Sequence, residues 1–337
     1  MDKENLNRKN PKSKKLSRRK FLGNTATVAA FSMIPVNLFS ESSPMVKATA
    51  GTPPDSNFGG IQIGAITYSW RSMPGGVENI IKYCKETGIS SIELMSNDVE
   101  EFLGSPKTKF NQEIKQWRLS LPLSKFEEVR KMFDDAGIKI HIVKFSPAKW
   151  SDEEIDYAFK AAKALGAKGV TEEIGEDAVK KLGPIAEKHG MYAIFHNHMQ
   201  FATPGFSYDP FLAVSPSVML NFDAGHFFGS TGIHPNTIIE KYHDRIVSIH
   251  MKDKTGPKTD PANTNQVWGQ GEAPVADILL LIKKNGWSIH CDIELEYDVK
   301  PWSNAVKEVK TCVQYARQIL MYGFNSIATL LPSHLRQ

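Results

Sequence analysis

The sequence contains only three cysteines. Cys84, Cys291 and Cys312 lie far apart in the chain, so none of them belongs to a zinc-finger or redox motif with short spacing. An odd number also gives no disulfide framework. We therefore expect all three to be buried or chemically inert.

Two features of nucleotide and nucleic-acid binding are also missing. The first 20 residues are strongly basic, so the formal net charge of +4 leaves the rest of the chain slightly acidic. A nucleic-acid-binding protein usually presents a basic face, and we expect no nucleic-acid partner. No arginine cluster is present, and no glycine-rich phosphate loop follows the first predicted strand.

The N-terminus has the features of an export signal. The stretch SRRKFL at 17–22 resembles a twin-arginine signal, and ATA at 48–50 is typical of a cleavage site. Residues 21–40 are uncharged but only mildly apolar, so we expect no stable membrane anchor. The sequence predicts a signal over 1–50 and a periplasmic protein that reaches its compartment through the twin-arginine machinery.

From residue 61 onward, an amphipathic helix ending in glycine is repeatedly followed by a short β-rich run. Glycine suits the left-handed conformation that ends a helix. The glycines concerned are Gly88, Gly137, Gly166, Gly190 and Gly286.

Eight strand candidates that alternate with helices predict a single α/β domain, a (β/α)8 TIM barrel over 61–325. A linker over 51–60 would precede it and a tail over 326–337 would follow. A doubly wound open sheet is the alternative, although such a sheet usually has a glycine-rich loop after its first strand.

Ionisable residues end every predicted strand after the first. Active sites of TIM barrels form at the carboxyl ends of the strands, so this distribution predicts a site there. The residues are Glu93, Lys144, Glu172, Glu173, His196, His198, Asp223, His226, His250, Lys252, Asp253, Glu294 and Glu296.

Strand periodicity indicates which of these side chains share a face. Residues two apart lie on the same side of a strand, so His196 and His198 share a face, as do His250 and Lys252. The helix-facing side is apolar, so the barrel interior is favoured. Imidazole and carboxylate ligands together suit one divalent ion such as Mn²⁺, Zn²⁺ or Co²⁺.

Each of these residues also has a purely structural interpretation. Glu294 and Glu296 could form ion pairs, and Lys144 could pair with Glu93. The carboxylates Glu172 and Glu173 could stabilise the N-terminus of the next helix. Their convergence on one rim favours the metal site.

Five segments in order resemble the sugar phosphate isomerase/epimerase group of xylose isomerase-like barrels, over roughly 60–320. This group includes tagatose epimerases and inosose dehydratases. The segments are FHNH at 195–198, NFDAGHFFGSTGIHP at 221–235, RIVSIHMKD at 245–253, VWGQGEAPVADIL at 267–279 and CDIELEYD at 291–298.

The resemblance implies a ligand set. Asp223, His250 and Glu294 match the family's metal ligands on strands six, seven and eight. The fifth-strand ligand is usually Glu, and His196 takes its place here. Either the imidazole binds the ion, or one of the fourth-strand acids, Glu172 or Glu173, replaces it.

The resemblance also implies a reaction: proton abstraction next to a carbonyl, through a metal-stabilised enediolate. We expect a sugar isomerase or epimerase with Glu294 or His198 as the base. His226, Lys252, Glu296 and Trp268 are expected to bind the substrate, a small sugar or glycoside.

Three alternatives remain open at this point. Loss of a β-substituent would make the protein a lyase or dehydratase acting on oxidised sugars or glycosides. A metal-dependent hydrolase and a non-catalytic carbohydrate-binding protein could use the same barrel. We expect the protein to assemble, if at all, as a homodimer.

Overall fold

The computed structural model of the protein describes residues 53–330, with side chains described up to residue 323. The predicted export signal lies outside these residues and stays a prediction. Within them, no helix combines the length and apolar character that crossing a membrane requires.

Eight parallel strands form a closed barrel. Their order around the barrel follows the chain, and β1 pairs with both β8 and β2, which closes the sheet. The predicted TIM barrel is confirmed, and the open sheet is wrong. The strands are β1 (Ile61–Ile66), β2 (Ser91–Met95), β3 (Lys139–Lys144), β4 (Gly169–Glu173), β5 (Tyr192–His196), β6 (Val218–Asp223), β7 (Ile246–Met251) and β8 (His290–Ile293).

Helices surround the barrel. All five predicted helix-ending glycines have positive φ, between 62 and 85°, as a left-handed helix end requires. The helices are α1 (Val77–Thr87), α2 (Ser96–Phe102), α3 (Asn111–Ser120), α4 (Ser124–Asp135), α5 (Asp152–Ala164), α6 (Glu176–His189), α7 (Asp209–Leu212), α8 (Ala224–Thr231), α9 (Asn236–Tyr242), α10 (Val275–Asn285) and α11 (Ala305–Leu330), with 3-10 turns at Thr67–Trp70 and Gln200–Ala202.

The main apolar core lies between strands and helices. It joins strand residues such as Ile63 and Ile92 to helix residues such as Ile80 and Phe133. This packing stabilises the fold because it removes the apolar faces of strands and helices from water. The three cysteines are buried and unpaired, as predicted.

Side chains from the strands fill the barrel interior. A separate apolar cluster contains Ile142, Ile194 and Val247. A polar network lies nearer the amino ends of the strands, where His141 Nε2 donates to Asp292 Oδ2 at 2.8 Å. Ser248 also donates to Asp292. The interior is therefore a packed core, and an open rim is left at the carboxyl ends.

The structure differs from the expected domain limits at both ends of the barrel. Asn57–Phe58 forms a short antiparallel strand on β1, and buried Ser56 donates to the carbonyl of Ile63 at 2.6 Å. These residues are part of the barrel, where a flexible linker was expected. At the other end, α11 continues to Leu330, with a break at Gly323 inside it, so residues 326–330 are helical.

Candidate active site

His250 on β7 lies at the centre of a buried polar cluster. Its Nε2 is 2.6 Å from Glu93 Oε2, and its Nδ1 is 2.7 Å from Glu294 Oε2. Burial disfavours the imidazolium, but the two carboxylates outweigh it and raise the pKa of His250. The hydrogen bond to Glu93 fixes the ring and turns Nδ1 towards Glu294.

Glu93 on β2 supports this arrangement, a role that the sequence analysis did not assign. The carboxylate is fully buried and also accepts hydrogen bonds from Thr171 at 2.7 Å and Asn221 at 2.9 Å. Lys144 was considered as its partner, but Lys144 pairs with Glu173 instead. A carboxylate behind a ligand histidine orients that ligand in many metal sites. The available signal for this role was the position of Glu93 near the carboxyl end of β2.

Asp223 ends β6 and begins α8. Its Oδ1 accepts a hydrogen bond from the backbone N–H of His226 at 2.7 Å, which caps the helix. Cap formation uses one carboxylate oxygen and fixes the side chain. The other oxygen, Oδ2, lies 2.9 Å from the ammonium of Lys252 and faces the cluster.

Glu294 follows β8 directly and is buried. Its Oε2 lies 2.8 Å from Lys252 Nζ, in addition to its contact with His250. Burial by itself would favour the protonated acid, but Lys252 and His250 hold the pKa of Glu294 well below its usual range. Glu294 is therefore a carboxylate and can act as a ligand.

At the end of β5 and just beyond it, the side chains of residues 195–198 point in different directions. His196 is buried, and burial followed by the nearby His250 and Lys144 lowers its pKa, so the ring is neutral. Asn197 points to the other side and accepts hydrogen bonds from Tyr208 and from the backbone of Asp223, at 2.6 and 2.9 Å. Asn197 thus ties the end of β5 to the end of β6.

The four predicted ligands come together. One ligand atom from each side chain lies within 4.8 Å of the ligand atoms of the other three. The residues are His196, Asp223, His250 and Glu294. One buried atom of each makes no well-formed hydrogen bond: His196 Nδ1, Asp223 Oδ2, His250 Nδ1 and Glu294 Oε2.

The missing hydrogen bonds of these atoms indicate whether the four residues fit a metal ion. Three of the atoms form ion pairs with one another or with Lys252 at 2.7–2.9 Å, but these contacts lack hydrogen-bond geometry. Unsatisfied buried acceptors are costly, and a divalent ion satisfies imidazole and carboxylate ligands together. The donor set therefore fits a divalent cation.

Lys252 joins the ligands to the predicted substrate residues. Its ammonium lies 2.7 Å from Glu296 Oε2 and 3.0 Å from His226 Nε2. Burial opposes the charge, but Asp223, Glu294 and Glu296 raise the pKa of Lys252. The structure thus brings together three of the four predicted substrate-binding residues.

Trp268, the fourth, packs against a helix of the outer layer. It is buried and packs edge-on against Tyr315, with ring centroids 5.8 Å apart. No hydrogen bond or ring contact joins it to the cluster within the described part of the chain. Its indole ring contributes to packing of the loop that precedes α10.

His198 stands at the open side of the cluster. Its Nε2 lies 3.0 Å from Glu173 Oε2, and its ring stacks on His226 with centroids 4.9 Å apart. The hydrogen bond to Glu173 raises the pKa of His198, although burial opposes it. Burial would raise the pKa of Glu173, but His198 and Lys144 lower it to about 2. Glu173, His196 and His198 also form a second group with metal-ligand spacing.

The two fourth-strand acids are thereby distinguished. Glu172 accepts hydrogen bonds from the backbone N–H groups of Ala148 and Glu173, at 2.7 and 2.8 Å, and so fixes the loop after β3. Glu173 instead faces the histidines. Of the two acids, only Glu173 lies close enough to His196 to supplement it as a ligand.

Residues 81–316 match the sequence model of the xylose isomerase-like TIM barrel family. The chain belongs to this family. Among curated members, an inosose dehydratase from Clostridium beijerinckii is 36% identical over 80 residues, which is 23% of this chain and 26% of the relative. The similarity therefore spans about a quarter of that relative's length.

Solved structures of xylose isomerase-like barrels share the fold. A sugar phosphate isomerase/epimerase from Parabacteroides distasonis superposes with a TM-score of 0.54 and 19% identity, covering 77% of this chain and 94% of that one. A probable 3-DHS dehydratase from Bacillus anthracis superposes with a TM-score of 0.56 and 15% identity, covering 75% and 98%. At these identities, the similarity concerns the fold.

Proposed function

We propose that this xylose isomerase-like barrel is a divalent-metal-dependent enzyme that removes a proton next to a carbonyl group of a sugar. The observation that carries the proposal is the buried cluster in which His196, Asp223, His250 and Glu294 each offer one ligand atom, all within 4.8 Å of one another. Each of the four residues also has a buried polar atom without a hydrogen bond. When bound, the ion would supply Lewis-acid stabilisation of negative charge that develops on substrate oxygens.

The His198–Glu173 pair fits the role of the base. His198 is half exposed at the open side of the cluster, so a substrate can reach it. Glu173 orients the ring and stabilises the imidazolium that forms when His198 accepts a proton. Glu294 remains a second candidate base, although its contacts with His250 and Lys252 favour a role as ligand.

Lys252 and His226 can bind substrate oxygens beside the base. Apart from the two proposed ligands Asp223 and Glu294, the ammonium contacts Glu296 Oε2 at 2.7 Å, which fixes its position before substrate arrives. Preorganised charge of this kind stabilises a developing anion at low reorganisation cost. Glu296 accepts from Lys252 and can also accept from a sugar hydroxyl.

Return of the proton to a different carbon or face gives isomerisation or epimerisation, the outcome that we propose first. Elimination of a β-substituent would give a lyase or dehydratase. This second outcome is supported by the inosose dehydratase that the sequence matches in part. Both outcomes share the same proton abstraction.

The test measures metal content and proton exchange in the same preparation. We expect about one divalent ion per chain after Mn²⁺ or Co²⁺ is added, and deuterium from solvent at a carbon next to the carbonyl in a panel of ketoses and 3-oxo-glycosides. Glu294→Gln should lose both, whereas the exposed-residue control Glu153→Gln should keep both. Full exchange after complete metal removal, or unchanged exchange in Glu294→Gln, would refute the proposal.

A further inference from the structure

Lys254 is a buried lysine that the proposed mechanism does not use. It lies in the short strand Asp253–Lys254, which pairs with Asn265–Gln266 beyond the end of β7. The residue is 3% exposed. Within residues 53–330, no hydrogen bond or ion pair joins its ammonium to another residue, although the nitrogen is not among the fully enclosed atoms that lack a partner. A buried charge without a partner is costly, so its retention calls for an explanation.

The neighbouring Lys252 differs from Lys254 in its carboxylate partners. Lys252 contacts three carboxylates, whereas Lys254, two residues later, contacts none. Burial and Lys252 lower the pKa of Lys254, although Asp223, Glu296 and Glu294 act in the opposite direction. Lys254 lies two residues beyond Lys252, which contacts all three of these acids.

Helix α8 lies close to this lysine. A Cβ added at Gly229 would meet Lys254 Cε at 3.0 Å and Asn263 Oδ1 at 2.1 Å. Gly229 lies three residues after His226, on the same face of the helix. The stem of Lys254 and the amide of Asn263 therefore pack against the face of α8 that carries a candidate substrate residue.

Two buried amide oxygens without a hydrogen bond belong to the same segment. The side-chain oxygens of Asn263 and Asn265 are buried and have no hydrogen-bond partner in the described residues. Asn265 is the strand partner of Lys254. Asn263 has a left-handed backbone, with φ of 51°, which is uncommon for a residue other than glycine.

The chemistry of this segment is complementary to a polyhydroxy acid. The ammonium lacks a neighbouring anion, and the amide oxygens lack hydrogen-bond donors. A carboxylate can accept from Lys254, while neighbouring hydroxyl groups donate to the amide oxygens. A neutral sugar would satisfy the amides but would leave the lysine without a counter-charge.

We propose that Lys254, Asn263 and Asn265 form a subsite for the carboxylate end of a sugar acid, whose carbonyl end reaches the His196–Asp223–His250–Glu294 cluster. The inference rests on the proposed function, since it names the substrate class of the same site. Lys254 and the two amides bind substrate and take no part in the proton transfer.

Calorimetric titration of the Mn²⁺-loaded protein tests the subsite. The probes are D-glucuronate and D-galacturonate, their neutral counterparts D-glucose and D-galactose, and D-glucose 6-phosphate. We expect at least one uronate to bind about tenfold more tightly than its neutral counterpart, which corresponds to ~1.4 kcal/mol, as for a hydrogen bond to a charged group. Lys254→Met should abolish this preference and leave the Kd of the neutral sugar within about twofold.

The exposed control Lys284→Met should keep the preference. Equal binding of uronate and neutral sugar, no binding by any probe, or an unchanged preference in Lys254→Met would each overturn the proposal. Tighter binding of the sugar phosphate than of the uronate would overturn the carboxylate assignment.

Thermal unfolding without ligand gives a second measurement, because a ligand-binding lysine and a merely structural lysine predict opposite changes in Tm for Lys254→Met. Because Lys254→Met removes an unpaired buried charge and keeps the apolar stem, we expect its Tm to rise by about 2–4 °C. A fall in Tm would show that the lysine stabilises the fold and would refute the subsite.

The two proposals fail in different ways. If the metal role is wrong, Mn²⁺ binding and deuterium exchange are absent while the uronate preference and its dependence on Lys254 remain after chelation. If the subsite is wrong, metal binding and exchange remain while the preference is absent.

Discussion

At the scale of single residues, the site depends on side chains that never touch the proposed ion. Glu93 fixes His250 through a 2.6 Å contact, and Asn197 fixes the end of β6 through the backbone of Asp223. Supporting groups of this kind determine which ligand atom faces the site. The ligands alone would not be preorganised.

Replacing Glu93 tests this view. Glu93→Gln keeps the size of the side chain but weakens the hydrogen bond that orients His250, so we expect the Kd for Mn²⁺ to rise by about 10- to 100-fold. Titration calorimetry measures the change, with Glu153→Gln as the exposed control. An unchanged Kd would mean that His250 is positioned by the barrel alone.

At the scale of elements, the position of α8 determines the shape of the site. The helix begins at the Asp223 cap and approaches the segment after β7 closely. A Cβ at Gly225 would lie 2.8 Å from Lys252 Cγ and 3.0 Å from the Lys252 carbonyl oxygen. The absence of a side chain at this position lets helix and lysine pack side by side.

Gly225→Ala should therefore push α8 away from Lys252. We expect a loss of about 1–3 kcal/mol in the free energy of unfolding, the usual cost of overpacking, and weaker Mn²⁺ binding. Urea unfolding measures the first effect. At Gly175 an added Cβ meets nothing within 4 Å, so Gly175→Ala should cost less than about 1 kcal/mol. Equal effects of the two substitutions would contradict the packing argument.

At the scale of the whole molecule, the polar network inside the barrel links stability to pH. His290 stacks on His141, with centroids 4.1 Å apart, and lies 3.2 Å from Ser91. Burial, followed by the neighbouring His141, lowers the pKa of His290 from 6.5 to about 3, although Asp292 opposes this. The folded protein thus keeps this ring neutral.

The sign of the effect follows from linkage. Because the pKa of His290 is lower in the folded than in the unfolded state, its stabilising effect is complete above pH ~6.5 and is lost as the pH falls towards 3. We expect this residue to account for a loss on the order of 4 kcal/mol over that range.

His290→Phe keeps the ring stack and removes the titrating group. The variant should lose less unfolding free energy on acidification than the wild type does, as measured by urea unfolding between pH 7 and 4. Parallel pH curves for the two proteins would show that His290 does not link stability to pH.

The sequence by itself determined the barrel and most of its rim. Glycine-ended amphipathic helices and period-two strands are local patterns, and local patterns specify elements. Since parallel strands carry their carboxyl ends to one rim, strand-end residues such as Asp223, His250 and Glu294 could be predicted as neighbours.

Only the tertiary structure decided which side chains satisfy one another. Glu93 reaches His250 across 157 positions of the chain, and no local pattern specifies a contact of that separation. For the same reason, the sequence could not separate the roles of Glu172 and Glu173, show that Trp268 packs against Tyr315, or show that Lys252 is paired while Lys254 is not. Pairing depends on distance and burial, which are set when distant strands close into one barrel.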